Sequence, residues 1–491
     1  MSMTRKHLCV TAGLVVTFSM TLPGRTAAQA PSVPLPAADS ALVRRILVAE
    51  DRRDTSAAAL GAGARHADPR VSALARRALA RIRDTLFTAR DSSRGSFPPL
   101  AAAPEWADPA WKVRYRALAP QRSDCTALRG ALADSLWPVR FRAMALLTPA
   151  CAGNDAIVRT LTGWVDGVPA VTARRARGGV SWHGAAHGVI ALARMRPDDA
   201  RPRITKLARH RQWQLRMYAA RAAALVSDTA TLRMLARDRD GNVQEAAITG
   251  LSKLTGHADD ALYLAALRGR GAQAVRAAAL ALKGSPRPDV RAAASAAFER
   301  WVANANASER DARLALLEAA GRPASDDRPP PARADLPASA AALALGADIR
   351  LRVTMAPASG GGTFVVRLRG DAAPITASRI LALAEQGYYD GTGWHRVEHD
   401  FVIQGGGPGA NEYVGHRRFF RDELATILHD RGTIGMSTRG HDTGDGQWFV
   451  NLRDNPRLVR DFTVFAEVVE GMDVVDGILE GDVIAQMRRV R

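Results

Sequence analysis

One phrase, restated about every thirty residues, limits what the first two thirds of this chain can become. A turn containing Asp, Gly or Pro runs into Val-Arg or its equivalent, and then into a helix of Ala, Leu and Arg. The copies are "ADPRVSALARRALARI" (67–82), "WKVRYRALAP" (111–120), "LWPVRFRAMALL" (136–147), "HRQWQLRMYAARAAALV" (210–226), "DRDGNVQEAAITGLSKL" (238–254), "QAVRAAALALKG" (273–284) and "RPDVRAAASAAFERWV" (287–302). Val113 and Val139 are 26 positions apart, Leu215 and Val243 are 28, and Val243 and Val275 are 32. Strong helix formers at that period predict paired helices from about residue 38 to 320, stacked as an all-α solenoid, because a single pair can bury its apolar face only on its neighbours.

The phrase resembles HEAT repeats, in which the D-x-x-V-R segment turns into the second helix of each pair. "SWHGAAHGVIALARM" (181–195) reads as a degenerate copy between Val139 and Leu215. His183 and His187 stand at i, i+4, a metal-ligand spacing, but no third ligand accompanies them and no metal site is assigned. The concave face of a solenoid commonly binds extended segments of other proteins. The repeats are therefore read either as a dock for a client or partner protein or as a spacer, and both stay open.

At 491 residues, with 47% hydrophobic and 24% charged residues, the chain exceeds what one core serves and predicts several folded domains. The formal charge of +19 would suggest nucleic acid. Nearly all of it, however, is Arg scattered through Ala-rich helices, without interleaved aromatics to stack bases, so no nucleic-acid partner is expected. Residues 1–30 have a separate role: Arg5 and Lys6, an apolar run over 8–22, and Ala28-Gln29-Ala30 form a secretory signal pattern. The run is shorter than the ~20 residues of a bilayer span and Pro23-Gly24 follow it, so cleavage is favoured over a retained anchor, leaving no integral membrane segment. The expected localisation is exported, periplasmic first and secreted second. Cys9 leaves with the signal; Cys125 and Cys151, 26 positions apart, are either a disulfide or two buried thiols. Residues 321–345, "GRPASDDRPPPARADLPASA" and its flank, read as a linker that Pro329–Pro331 make semi-extended.

From residue 346 to 491 the period changes from helix to strand. "IRLRVTM" (349–355) and "GTFVVRLRG" (362–370) read as paired strands, "PITASRILALAEQGYYD" (374–390) holds one amphipathic helix, and "FVIQG", "GTIGMS", "QWFVNL" and "FTVFAEVV" return to short strands. Many short strands with one or two helices predict a closed barrel.

These segments, in this order, resemble the cyclophilin-type peptidyl-prolyl isomerases. "GYYDGTGWHRVEHDFVIQGGGP" follows the family's G-x-Y-D-G-x-x-F-H-R-V-x-x-x-F-x-I-Q-G-G pattern, and "RGTIGMS", "GQWFVNL" and "FTVFAEVVEGMDVVDGI" follow at compatible spacing over roughly 348–490. The resemblance implies a cyclophilin-like closed β-barrel with flanking helices, and catalysis of cis-trans isomerisation at Xaa-Pro bonds of proline-containing polypeptide clients without metal or cofactor. It implies Arg396 as the catalytic arginine and Gln404 as the glutamine that orients it. Phe401, Val402, Phe449 and Leu458 would wall the proline pocket, with Phe462 closing it, and Gln447 with Ser437-Thr438 would hold the peptide main chain. The chemistry suits these residue types. Amide resonance gives the bond a barrier of about 18–20 kcal/mol, and a fixed cationic donor over the prolyl nitrogen stabilises the twisted, deconjugated amide.

Departures from the pattern carry their own expectations. Trp394 and Trp448 stand where the family usually has Phe, and Trp448 is expected in the core; Val402 is a smaller wall than the frequent Met. Arg457 replaces the Trp of cyclosporin-sensitive members, and Arg379 reads as a surface adjustment. His395 is expected to hydrogen-bond in the core, while His399, His416, His429 and His441 read as loop residues. The competing role for Arg396 is a structural ion pair with Glu398 or Asp400. The whole is read as an exported isomerase with a helical-repeat domain for docking. The alternatives are a catalytically weak proline-binding scaffold and a holdase-like chaperone in which the repeats do the main work.

Overall fold

Among the described residues, helices are the regular elements up to residue 344, and strands with two further α-helices follow, as the change of period predicts. The computed structural model describes residues 35–83, 104–168, 181–304, 306–328, 336–425 and 427–490. The signal expected over 1–30 and the Pro329–Pro331 run lie outside the described residues.

The helices from residue 125 to 320 form two rows. Trp137–Leu146, Trp182–Met195, Trp213–Leu225, Gly241–Thr255, Ala272–Leu282 and Arg310–Ala320 pack each on the next, and Asp155–Asp166, Pro197–Leu207, Thr229–Leu235, Asp260–Ala266 and Val290–Ala303 back them. The repeated phrase has a physical reading. Its Asp caps the helix, as when Asp240 accepts from Asn242 N at 2.9 Å. Its apolar residue enters the core at Val139, Leu215, Val243 and Val275, whereas the marker Val113 is exposed and Trp111 takes the buried place in that copy. In two copies its Arg reaches the Asp of the next turn: Arg114 to Asp134 at 2.6 and 3.1 Å, Arg216 to Asp238 at 2.6 and 2.7 Å. The degenerate copy at 181–195 takes a place in the inner row. The copy at 287–302 lies in the backing row instead, and the inner place goes to Arg310–Ala320, which carries no copy. Cys125 and Cys151 are joined as a disulfide, Cα atoms 5.5 Å apart.

The first three helices, Ala37–Arg52, Ala58–Ala64 and Pro69–Arg83, have a core of their own. It is completed by Leu336 and by Ser339–Ala344, a short helix inside the 321–345 stretch that packs on Ala37–Arg52 and on the barrel helix Pro374–Glu385.

The barrel strands are β1 Arg350–Met355, β2 Thr363–Leu368, β3 Gly393–Val397, β4 Val402–Gly407, β5 Thr433–Met436, β6 Trp448–Asn451, β7 Val464–Glu470 and β8 Ile484–Arg489, in the order β3-β4-β6-β5-β7-β2-β1-β8. The ends meet where Gly393 bridges Val483 and Trp394 N donates to Asp482 O at 2.9 Å, which nearly closes the barrel. Trp394 and Trp448 fill its interior edge to face, 4.9 Å between ring centres.

Residues Leu35–Arg491 form one compact unit, and the inner row of helices faces the barrel. His183 Nε2 bonds Glu480 O at 2.6 Å, Tyr218 donates to the Glu480 carboxylate at 2.6 Å, and Asn411 donates to Asn242 Oδ1 at 3.0 Å. The interface thus absorbs the His183–His187 pair, with His187 stacked 4.5 Å from Phe141. Arg379 is not the surface adjustment the sequence suggests. It is buried and forked onto Asp51 of the first helix at 3.0 and 2.8 Å, because the core of the first three helices takes in Ile375 at the start of Pro374–Glu385.

Candidate active site

Strand pairing places four residues in one row. Arg396 on β3 lies opposite Gln404 on β4, Gln404 opposite Phe449 on β6, and Phe449 opposite Gly435 on β5. Directly opposed residues share a face of the sheet. The row therefore brings a guanidinium, an amide and a phenyl ring to one mouth.

Gly435 is the residue of the row that carries no side chain, and the packing requires this. A Cβ there would sit 2.3 Å from Phe449 Cζ, so the ring lies flat across the glycine. Behind Phe449 stands His429, stacked at 5.8 Å, and Phe462 meets the same ring edge-on at 5.5 Å. His429 lies in the loop before β5, as its type suggests, but is buried there. Its Nδ1 accepts from Asn451 Nδ2 at 3.2 Å and its Nε2 donates to Phe462 O at 3.3 Å, a pattern met by the neutral ring. Burial pulls its pKa down to about 4. Sequence reasoning passed over both Gly435 and His429, since neither touches the pocket except through Phe449 and Phe462.

The resulting pocket has a volume of 110 Å³. Every pocket residue expected from the sequence lines it except Gln447: Arg396, Phe401, Val402, Gln404, Ser437, Thr438, Phe449, Leu458 and Phe462, joined by Glu412 and Arg439, which were not expected. Gln447 stands behind the wall, fully buried, donating to Val414 O at 3.2 Å. Phe401 is overlain by two cations, Arg457 at 4.4 Å and Arg396 at 5.8 Å from its ring centre.

Arg396 is exposed, and its Nε and Nη2 bond Glu398 Oε1 at 2.8 and 2.5 Å. Asp400, the other carboxylate in reach by sequence, is held by Arg116 of the Ala110–Ala117 helix at 2.9 and 2.6 Å. Gln404 stands beside Arg396 in register, but its amide donates to Ser437 Oγ at 2.8 Å, so its side-chain bond secures the far wall of the pocket. His395 differs from its expected role: both ring nitrogens are buried without a hydrogen-bond partner among the described residues, and burial beside Arg396 lowers its pKa to about 4. His399 lies in the β3–β4 turn, as expected of a loop residue, but is buried, 6.0 Å from each of the Trp111 and Phe141 rings. Exposed His441 pairs with Asp422 at 3.2 Å.

Arg439 ties the pocket to the helices. It bonds Asp445 Oδ2 at 3.1 Å and Ser308 O at 3.0 Å and pairs with Asp311 of Arg310–Ala320. Burial, opposed by Arg439, lifts the Asp445 pKa to about 6.

Residues 352–490 match the family model described as cyclophilin type peptidyl-prolyl cis-trans isomerase/CLD. Over 127 residues the chain is 37% identical to a peptidyl-prolyl cis-trans isomerase of Helicobacter pylori, covering 25% of this chain and 78% of that protein. It is 38% identical over 120 residues to the Schizosaccharomyces pombe peptidyl-prolyl cis-trans isomerase ppi1, covering 23% and 76% respectively. With a Neurospora crassa peptidyl-prolyl cis-trans isomerase-like 1 it shares 34% over 138 residues, covering 27% and 80%. These matches span most of each relative but only about a quarter of this chain, the quarter that holds the Arg396 row. Through that barrel, the chain belongs to the cyclophilin-type peptidyl-prolyl cis-trans isomerases.

Proposed function

We propose that Arg396 is the catalytic donor, that the 110 Å³ pocket beside it grips the proline ring, and that the clients are exported polypeptides met while they fold. The observation that carries this reading is the single strand row that sets a permanently charged guanidinium next to an aromatic pocket. A planar Xaa-Pro amide is held by resonance; twisting it leaves a lone pair on the prolyl nitrogen. A donor aimed at that lone pair binds the twisted state better than the planar one, which is what lowers a barrier. Gln404 and Ser437 keep the opposite wall in place while the preceding carbonyl turns. The Arg396–Glu398 pair does not oppose this role, because an exposed pair is worth only about 0–1 kcal/mol and yields to a client.

Export is supported by the Cys125–Cys151 disulfide, since such bonds persist in oxidising compartments. The helical repeats pack on the barrel beside the pocket rather than at the end of a tether, and we assign them the holding of clients at the pocket mouth. The test is cis-to-trans isomerisation of a short Xaa-Pro peptide by the purified protein and by Arg396→Ala. Loss of a preorganised donor should lower kcat/KM by about 10²–10³. A folded wild-type protein that leaves the peptide's rate unchanged would refute the catalytic role. Cell fractionation tests export: cytosolic protein with two alkylatable thiols would contradict it.

A further inference from the structure

A cleft of 640 Å³ lies between the barrel and the inner row of helices. One wall is β3 and the 410–413 loop. The other is the Trp213–Leu225 and Gly241–Thr255 helices, which present Trp213, Met217, Arg221, Glu245, Ala246 and Thr249. Arg396 and Glu412 line both this cleft and the 110 Å³ pocket, so the two cavities adjoin at those side chains. We infer that the cleft is the continuation of the polypeptide groove: residues flanking the isomerised proline lie between β3 and the two helices, which thereby read the client's sequence. This rests on the assignment of the small pocket to proline.

Three observations select an extended polypeptide as the occupant. The first is that adjacency, because a chain with its proline seated beside Arg396 that leaves past Arg396 or Glu412 enters the cleft. The second is the barrel wall. A Cβ at Gly393 would meet only Asp482 O, at 3.6 Å, so packing does not require a small residue there, whereas the φ of +79° at Gly391 accounts for the glycine in the preceding turn. Bare strand backbone with open space in front of it admits the close approach of another main chain. The third is the helical wall, where Trp213 and Met217, one helical turn apart, stand with Ala246 as an apolar patch suited to a client side chain. Glu245 flanks this patch, 3.8 Å from Arg276, with burial lifting its pKa to about 7. The volume falls in the range of about 300–1,000 Å³ usual for sites that enclose a ligand. The preferred client is thus a proline segment with an apolar residue a few positions away.

The test compares kcat/KM for an Xaa-Pro tetrapeptide with that for a dodecapeptide carrying the same Xaa-Pro centre and leucine in its flanks, using the full-length protein. Wild type should favour the dodecapeptide about tenfold, the gain expected from one well-packed side-chain contact. Ala246→Trp, which fills the cleft, should bring the ratio close to one. Thr249→Trp, at an exposed cleft position that tolerates a large side chain, should do the same, with circular dichroism verifying that each variant is folded. A wild-type ratio near one, or a tenfold ratio that both folded variants retain, overturns the inference while leaving the proline pocket intact. Failure of wild type to accelerate even the tetrapeptide overturns the proline assignment and this inference with it.

Discussion

The two cavities that share Arg396 are built by opposite means. The small pocket is a product of strand register within one barrel, where Arg396, Gln404, Phe449 and Gly435 are fixed by backbone pairing. The large cleft is a product of assembly. Its walls come from segments well over a hundred residues apart, tied by contacts such as Asn242–Asn411 and Tyr218–Glu480. A register-built site holds its chemistry as long as the barrel holds. An assembled site depends on the seating of the helices, so damage to the helix–barrel contacts should appear in stability, whereas damage to the pocket walls should appear in rate.

The strongest way to separate the two is at the buried junction under the barrel helix. Arg81 Nη1 donates to Glu50 at 2.9 Å, Nε donates to Leu424 O at 3.1 Å, and Glu423 lies 3.9 Å away. Glu423 in turn accepts from Ile375 N at 3.1 Å and from Thr376 N, capping Pro374–Glu385. Arg81→Met should cost about 3–5 kcal/mol in chemical denaturation at pH 7, the loss expected when one partner leaves a buried charge cluster. Burial raises the Glu423 pKa and Glu50 adds to it, while Arg81 opposes both. A carboxyl whose folded pKa lies above its unfolded one gains stability as pH falls, so the deficit should shrink towards pH 5. A deficit under about 1 kcal/mol would mean that the helices sit on the barrel without depending on it.

The same contrast explains what was legible in the sequence. The pocket could be read because its residues sit on strands whose local pattern fixes their neighbours. Strand β8 was missed because its burial does not alternate: Ile484 and Met487 are inward and the residues around them are exposed. The two rows of helices were legible through the period of the phrase, but the inner place of Arg310–Ala320 was not, since it depends on packing. Arg379 could not be placed, because its partner Asp51 is 328 positions away and nothing near residue 379 signals it. His429 and His395 looked like loop and core residues by type. Their actual settings, under Phe449 and beside Arg396, are set by tertiary contacts.

His429 offers a test confined to the pocket wall. Its folded pKa of about 4 lies below the ordinary histidine value of 6.5. Above pH 6.5 the ring is neutral in both states and contributes no pH dependence. Between 6.5 and 4 the unfolded chain takes up a proton that the folded ring refuses, so stability falls by about 1.4 kcal/mol per pH unit, on the order of 3 kcal/mol in all. Denaturation curves of wild type and His429→Gln from pH 7.5 to 4.5 should converge by that amount as the pH is lowered. A stability difference that stays constant with pH would show that the imidazole is not held neutral there.

Gly435→Ala probes the row more gently. The added methyl meets the Phe449 ring, and overpacking of this kind costs about 1–3 kcal/mol. If the ring swings away from the glycine, kcat/KM for short and long peptides should fall together by about tenfold. The discrimination between the two peptides, which belongs to the cleft, should remain. A change in that discrimination without a general loss of rate would mean that pocket and cleft are not built independently.

The smallest effect lies at Glu398, the carboxylate that Arg396 must leave to reach a prolyl nitrogen. The side chains are 43% and 48% exposed, so the pair is weak and screened. If it merely parks the guanidinium, Glu398→Gln should raise kcat/KM by up to about threefold, and added salt should produce part of the same gain in wild type but none in the variant. If the carboxylate instead holds Arg396 at the correct angle, the variant should be slower and salt should slow wild type too. The sign of this small change therefore decides whether β3 presents its arginine ready for the amide or releases it only when a client arrives.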